Sequence, residues 1–158
     1  MSEPWALKLY GKSPLKRDKV NALLSVLGDV SGKRCLDLGP DNGVVSLLLR
    51  QRGGSWATGD LTAETVEATR SLVETDVHLI GETRWPFADA EFDVVVVADM
   101  IEHVSDDRAF ASELARILKP GGRLIVNTPH ARNTALRRLR LRLGQTDEKH
   151  GHLRPGYT

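Results

Sequence analysis

Apolar residues recur at helical spacing behind a serine and a proline: Leu15, Val20, Leu23, Leu24 and Leu27 follow Ser13-Pro14. Serine is a good cap, proline fits the first helical position, and Gly28 closes the segment. The pattern then predicts a strand over 34–38, a glycine loop, and a helix over 44–52 stopped by Gly53-Gly54. A short strand over 55–58 runs into Gly59-Asp60, Thr62 caps a helix reaching about residue 73, and a further strand covers 77–80. Residues 92–98 contain consecutive valines at 94–97 with no polar alternation, as in strands buried on both faces of a parallel sheet. A helix from Ser105 to Leu118 is stopped by Lys119-Pro120-Gly121-Gly122, and a fifth strand covers 124–127. Strands alternating with helices predict an α/β fold with a doubly wound, mostly parallel sheet. There is no internal repeat.

Composition changes this picture little. A length of 158 residues suits one domain, and 41% hydrophobic with 27% charged residues is ordinary for a globular chain. A formal charge of +1 supplies no field that would call for nucleic acid. The single cysteine, Cys35, sits in an apolar run, reads as a buried inert thiol, and suits a reducing cytoplasm. The opening MSEPWALKLYGKS has no apolar core of a secretory signal, and the stretch 94–100 is too short to span a bilayer. A cytoplasmic protein without a transmembrane segment is the expectation.

Chemistry enters at CLDLGPDNG, residues 35–43. In doubly wound sheets ligands bind beyond the carboxyl ends of the strands, so Gly39 and Gly43 stand where a ligand's neighbour must be small. A tight strand-to-helix turn would need the same glycines for geometry alone. Neither GxxxxGK[ST] nor GxGxxG occurs, which argues against a phosphate loop and against a nucleotide-linked oxidoreductase. Asp60, after the second strand, can accept two hydrogen bonds from a ribose diol, and its separation from Gly39 favours a nucleoside site over a mere capping acid.

With CLDLGPDNG, four more stretches carry a resemblance: GDLTAETVE (59–67), GETRWPFADAEFDVVV (81–96), ADMIEHV (98–104) and LARILKPGGRLIVNTPH (114–130). On these residues the chain resembles the class I S-adenosylmethionine-dependent methyltransferases, in the subgroup acting on small-molecule and lipid-precursor acceptors. The resemblance implies S-adenosylmethionine as cofactor and S-adenosylhomocysteine as product. It implies that Asp37 and the loop of Gly39, Pro40, Asp41 and Gly43 line the methionine moiety. Asp60, with Leu61 beside it, would take the ribose hydroxyls, and Glu82 with Thr83 would stand near the adenine amine. Asp99 and Met100 would lie under the sulfonium end, and His103 would face the active-site mouth or pack the start of the next helix. No metal is implied, and His150 with His152 makes a weak pair of ligands.

Three departures stand out. Asp41 replaces the middle glycine of the family loop behind Pro40, so an acid enters near the cofactor's carboxylate. The acid after the third strand is Glu82 rather than aspartate, and the loop to Pro86-Phe87 is one residue short. The chain also ends where the family fold goes on to its usual last two strands, so a C-terminally short or truncated chain with an open edge on the fifth strand, prone to self-association, is expected.

The expected division is a cofactor-binding domain over 1–130 and a basic tail over 131–158 serving as a possible substrate lid. In the tail Leu136, Leu139 and Leu143 share a helical face crowded by Arg132, Arg137, Arg138, Arg140 and Arg142, which suits a solvated lid, an anionic substrate or weak membrane-surface contact. Methyl transfer needs alignment and a dry site, and needs a base only for a protonated nucleophile, so His103, Asp99 and His130 are candidates. The expected function is methyl transfer to a small-molecule or lipid-precursor acceptor, with a non-catalytic cofactor-binding module as the alternative.

Overall fold

The valine run forms an interior strand of a five-stranded parallel sheet in the computed structural model, which describes residues 4–128. The elements in chain order are α1 (Trp5–Lys12), α2 (Pro14–Leu27), β1 (Arg34–Leu38), α3 (Val44–Arg50), β2 (Ser55–Asp60) and α4 (Ala63–Val73). They continue with β3 (Val77–Leu79), β4 (Phe92–Ala98), a 3-10 turn (Ile101–His103), α5 (Asp107–Ile117) and β5 (Leu118–Asn127). The spatial order is β3-β2-β1-β4-β5, so the chain reverses its direction of growth between β1 and β4. That reversal opens a crevice at the carboxyl ends of the two central strands.

Successive valines serve opposite layers. Val95 and Val97 pack with Trp85, Phe110, Leu114 and Ile117 on the α5 side. Val94 and Val96 pack with Leu23 and Leu27 of α2 and Leu49 of α3 on the other. Each such side chain contributes roughly 1.5–3 kcal/mol of burial, which is why the run shows no polar alternation. Cys35 is fully buried in the α2 and α3 layer, and burial pushes its thiol pKa up to about 11. Among the described residues no helix is long and apolar enough to cross a membrane.

Several boundaries differ from the sequence reading. Helix α1 lacks a sequence signal because its apolar residues lie on two faces: Ala6 is buried, while Trp5 and Leu9 are exposed. Asp106, not Ser105, caps α5; its carboxylate accepts from the backbone N–H of Arg108 and Ala109, each at 3.0 Å. The Ser105 hydroxyl donates to Glu82 instead. Strand β5 begins at Leu118, paired with Phe92, and resumes register at Arg123 opposite Val94. Helix α5 ends at Ile117, so the Lys119-Pro120-Gly121-Gly122 stretch is an irregularity inside the strand rather than the end of a helix, and Gly121 takes a φ of +77° within it. Helix α3 is shorter than expected, ending at Arg50, and β2 runs on to Asp60.

Candidate functional site

A cavity of about 470 Å³ occupies the crevice, within the range of small-molecule sites. The ends of β1, β2, β4 and β5 and one face of α2 wall it. Gly39 follows β1 at φ +80°, and a Cβ there would stand 2.0 Å from the Ala98 carbonyl oxygen and 3.3 Å from Met100 Cβ. Only glycine lets the β1 loop lie this close to the end of β4. The loop continues through Asp41, Asn42 and Gly43 at φ +47°, +55° and +89°. Aspartate and asparagine are the side chains that best tolerate this left-handed region, so the loop keeps a glycine-like path without glycine at 41 and 42.

Two lysines missed by the sequence reading complete the wall. Lys16 Nζ donates to both carboxylate oxygens of Asp41, at 2.8 and 2.9 Å. Lys19, one turn further along α2, pairs with Asp99 Oδ2. Burial lowers the Lys19 pKa, and the nearby acids Glu102 and Asp41 oppose that shift while Lys16 adds to it. A signal for them existed. Lys16 and Lys19 share the helical stripe of Val20 and Leu23, where a helix packed on a core is otherwise apolar.

Asp60 ends β2 at 9% exposure, and its Oδ1 accepts from the Thr62 N–H at 2.9 Å and the Thr62 hydroxyl at 3.1 Å. Burial raises its carboxyl pKa, against the Thr62 hydrogen bonds and the nearby His103, which lower it. Asp99 adopts φ +47°, and its backbone N–H donates to the Asn127 carbonyl at 2.9 Å. Asp99 Oδ1, Glu102 Oε1 and Asn127 Oδ1 are buried without a hydrogen-bond partner among the described residues. Such acceptors carry a desolvation cost until a donor arrives.

The cavity thus gathers Gly39, Asp41, Asp60, Leu61, Asp99, Met100 and His103 from the expected set. Its wall does not include Asp37, Pro40, Gly43, Glu82 or Thr83, and each has a physical reason. Strand parity turns Asp37 with Cys35 into the α3 layer, where the residue is 1% exposed. There its Oδ1 accepts from the Thr58 hydroxyl at 2.8 Å and from Arg50 at 3.3 Å, and its other oxygen accepts from Ser46. Burial raises the Asp37 pKa, while Arg50, Ser46 and Thr58 pull it back. Pro40 and Gly43 form the back of the loop: the Pro40 carbonyl accepts from the N–H of Gly43 and Val45, and a Cβ on Gly43 would meet Thr69 Cα at 2.8 Å. Glu82 and Thr83 are exposed in the loop before Trp85, with Glu82 held by Ser105. His130 and the whole basic tail, with its histidine pair, lie outside the described residues.

Residues 36–126 match the family described as "Methyltransferase domain". The chain belongs to the class I S-adenosylmethionine-dependent methyltransferases. Its relatives include the ubiquinone biosynthesis O-methyltransferase of Xanthomonas oryzae pv. oryzae, 33% identical with 76% of this chain and 51% of that protein aligned. The demethylmenaquinone methyltransferase of Clavibacter sepedonicus is 32% identical, over 69% of this chain and 51% of that protein. The methyltransferase domain seen here therefore spans about half the length of the curated relatives it matches. Among solved structures, the YcgJ protein of Bacillus subtilis superposes with a TM-score of 0.72 at 22% identity, covering 87% of this chain and 62% of that one. An S-adenosylmethionine-dependent methyltransferase of Aquifex aeolicus superposes at 0.66 with 21% identity, covering 85% and 77%. Both likenesses concern the fold. The residues present suit the family's cofactor: the Asp60 carboxylate could accept from a diol, the Lys16 and Asp41 end is charged as a polar amino-acid arm would require, and the Gly39 wall would be filled by any larger residue.

Proposed function

We propose that this chain carries out, or carries the cofactor-binding part of, methyl transfer from S-adenosylmethionine to a small-molecule or lipid-precursor acceptor. The observation that carries the reading is the convergence of Gly39, Asp60 and Asp99 on one cavity at the reversal of strand order. The names of the aligned relatives, acting in ubiquinone and menaquinone formation, support the acceptor class.

Asp60 accepts the ribose hydroxyls, and Leu61 packs beside them. Lys16 would meet the carboxylate of the amino-acid arm, and its pairing with Asp41 neutralises that acid, which reconciles an acid at position 41 with an anionic ligand group. Val20, Leu23, Ala98 and Met100 exclude water from the reacting end. Asp99 and His103 stand where the acceptor enters, and the imidazole takes the acceptor's proton when the nucleophile is a hydroxyl or an acidic carbon. The bound cofactor supplies a methyl group on a sulfonium that is already an activated leaving group, so alignment is most of what this chain must add. Asp37, Pro40 and Gly43 serve by holding the loop. A domain over 1–130, a lid function for 131–158 and a cytoplasmic location belong to the same reading.

Titration calorimetry with S-adenosylhomocysteine, followed by a labelled-methyl assay against quinone-precursor phenols, tests it. Binding with transfer supports the reading, and binding without transfer to any acceptor leaves the cofactor-binding module. Absence of binding by a folded chain overturns both.

A further inference from the structure

The outward face of α1 has no role in the cavity or the core. Trp5, Lys8, Leu9 and Lys12 fall at i, i+3, i+4 and i+7, which is one helical face, while Ala6 and Tyr10 turn inward. Trp5 is 60% exposed and Leu9 49%, and across the Ser13 junction Leu15 on the first turn of α2 is 76% exposed. Exposed tryptophan and leucine on one face are costly in water and mark contact surfaces.

The charges around this face have one sign. From Pro4 to Lys19 the chain carries Lys8, Lys12, Lys16, Arg17 and Lys19 against Asp18 alone, a local +4 in a chain of formal charge +1. Lys16 and Lys19 are engaged at the cavity by Asp41 and Asp99. Lys8, Lys12 and Arg17 pair with no carboxylate among the described residues, and Arg17 donates only to the Gly11 carbonyl at 3.2 Å.

We infer that α1 and the first turn of α2 dock on an anionic lipid surface, with Trp5, Leu9 and Leu15 in the interface and Lys8, Lys12 and Arg17 against the headgroups. An aromatic and aliphatic face rimmed by lysine is the composition of interfacial helices, and each cation near an anionic surface strengthens attachment by roughly fivefold. A second copy of the chain fits this face poorly. An eight-residue helix is only about 12 Å long, far short of the roughly 800 Å² per partner that a stable dimer buries. The placement has a use: Leu15 precedes Lys16, which lines the cavity, so docking would hold the cavity-bearing end of α2 beside a membrane, where a lipid-borne acceptor would be found.

The test is independent of the methyltransferase reading, because it needs no cofactor. The chain is sedimented with vesicles of phosphatidylcholine alone and of phosphatidylcholine with one-quarter phosphatidylglycerol. Brominated lipid is used to quench tryptophan, since Trp56 and Trp85 are buried and Trp5 dominates the exposed signal. Expected are binding to the anionic vesicles only, quenching of Trp5, and a loss of about tenfold or more in both Lys8→Glu/Lys12→Glu and Trp5→Ser/Leu9→Ser, with unchanged circular dichroism melts. Equal binding to both vesicle types overturns the inference. So does anionic binding that survives both double variants, which would move the contact to the arginine-rich 132–142 segment. A dimer in light scattering that Trp5→Ser/Leu9→Ser dissolves would give the face to a second copy and equally overturns it.

Discussion

Lys16 straddles Asp41, its ammonium 2.8 and 2.9 Å from the two carboxylate oxygens, and so neutralises the one acid that the family loop does not ordinarily carry. Both side chains are about a third exposed, so the pair itself is worth only ~0–1 kcal/mol to stability. Its importance lies in the charge it sets at one end of the cavity. Lys16→Met should leave Asp41 facing an anionic ligand group and weaken S-adenosylhomocysteine binding by about fivefold to tenfold, with little change in melting temperature. Asp41→Gly should tighten binding, because Lys16 is released to the ligand. Calorimetry on both variants decides it, and a weaker Asp41→Gly would mean that Asp41 holds the ligand's ammonium instead.

Asp60 should show opposite effects on binding and stability. Asp60→Asn removes a charged acceptor and should weaken S-adenosylhomocysteine by about 1–3 kcal/mol. Burial raises the folded pKa of Asp60, so the native state binds protons more readily than the unfolded chain, and stability falls as pH rises through that folded value. At neutral pH Asp60→Asn should therefore melt higher than the parent in the absence of ligand. Ligand affinity of the parent should decline on acidification at a pH above the usual aspartate range, while the variant stays flat there. A parallel decline in both would assign the titration to another group.

Gly39 and Gly121 separate two causes of glycine preference. Both take left-handed φ, +80° and +77°, but a Cβ on Gly39 would strike the Ala98 carbonyl while one on Gly121 meets nothing within 4 Å. Gly121→Ala should cost about 1–2 kcal/mol, the left-handed penalty alone. Gly39→Ala should cost about 3 kcal/mol or more and abolish ligand binding. Urea melts of the two variants provide the comparison, and equal losses would rule out the contact with β4.

The Asp37 network predicts non-additivity. Arg50→Met leaves the carboxylate of Asp37 buried without its cation and should cost about 3–5 kcal/mol. Adding Asp37→Asn removes the stranded charge and should recover a good part of that loss. If the double variant is the sum of the singles, the ion pair is not what Arg50 contributes.

What could be read from residues alone followed from how strongly each signal was tied to one structure. The valines of β4, the Ser13-Pro14 start of α2 and the Thr62 cap of α4 each admit one structural answer, and the structure has it. The position of Asp60 and Gly39 at the cavity was readable because strand ends in such sheets have a fixed relation to the crevice. Lys16 and Lys19 are marked only by their place on the apolar stripe of Val20 and Leu23, a weak signal because a lysine on a surface helix ordinarily means water, and the packing of α2 across the strand ends is what turns that face inward. Strand parity is not visible in the motif: the strand end places Asp37 close to the crevice, and alternation points its carboxylate at Arg50. Helix α1 escaped notice because half of its apolar residues do not face the core at all.

Strand β4 acts as a partition wall between two tenants. Helix α2, with the cavity lysines, leans on Val94 and Val96, whereas α5 and the aromatic pair Trp85 and Phe110 lean on Val95 and Val97. Val96 shares its layer with Val20 and Leu23, which line the cavity. Val95 shares its layer with Trp85 and Phe110, which do not, and meets the cavity only where Met100 and Leu61 close that layer. Sequence drift among the aromatic residues on the α5 side is thus screened from the ligand by one strand, and reaches it only by way of Met100 and Leu61.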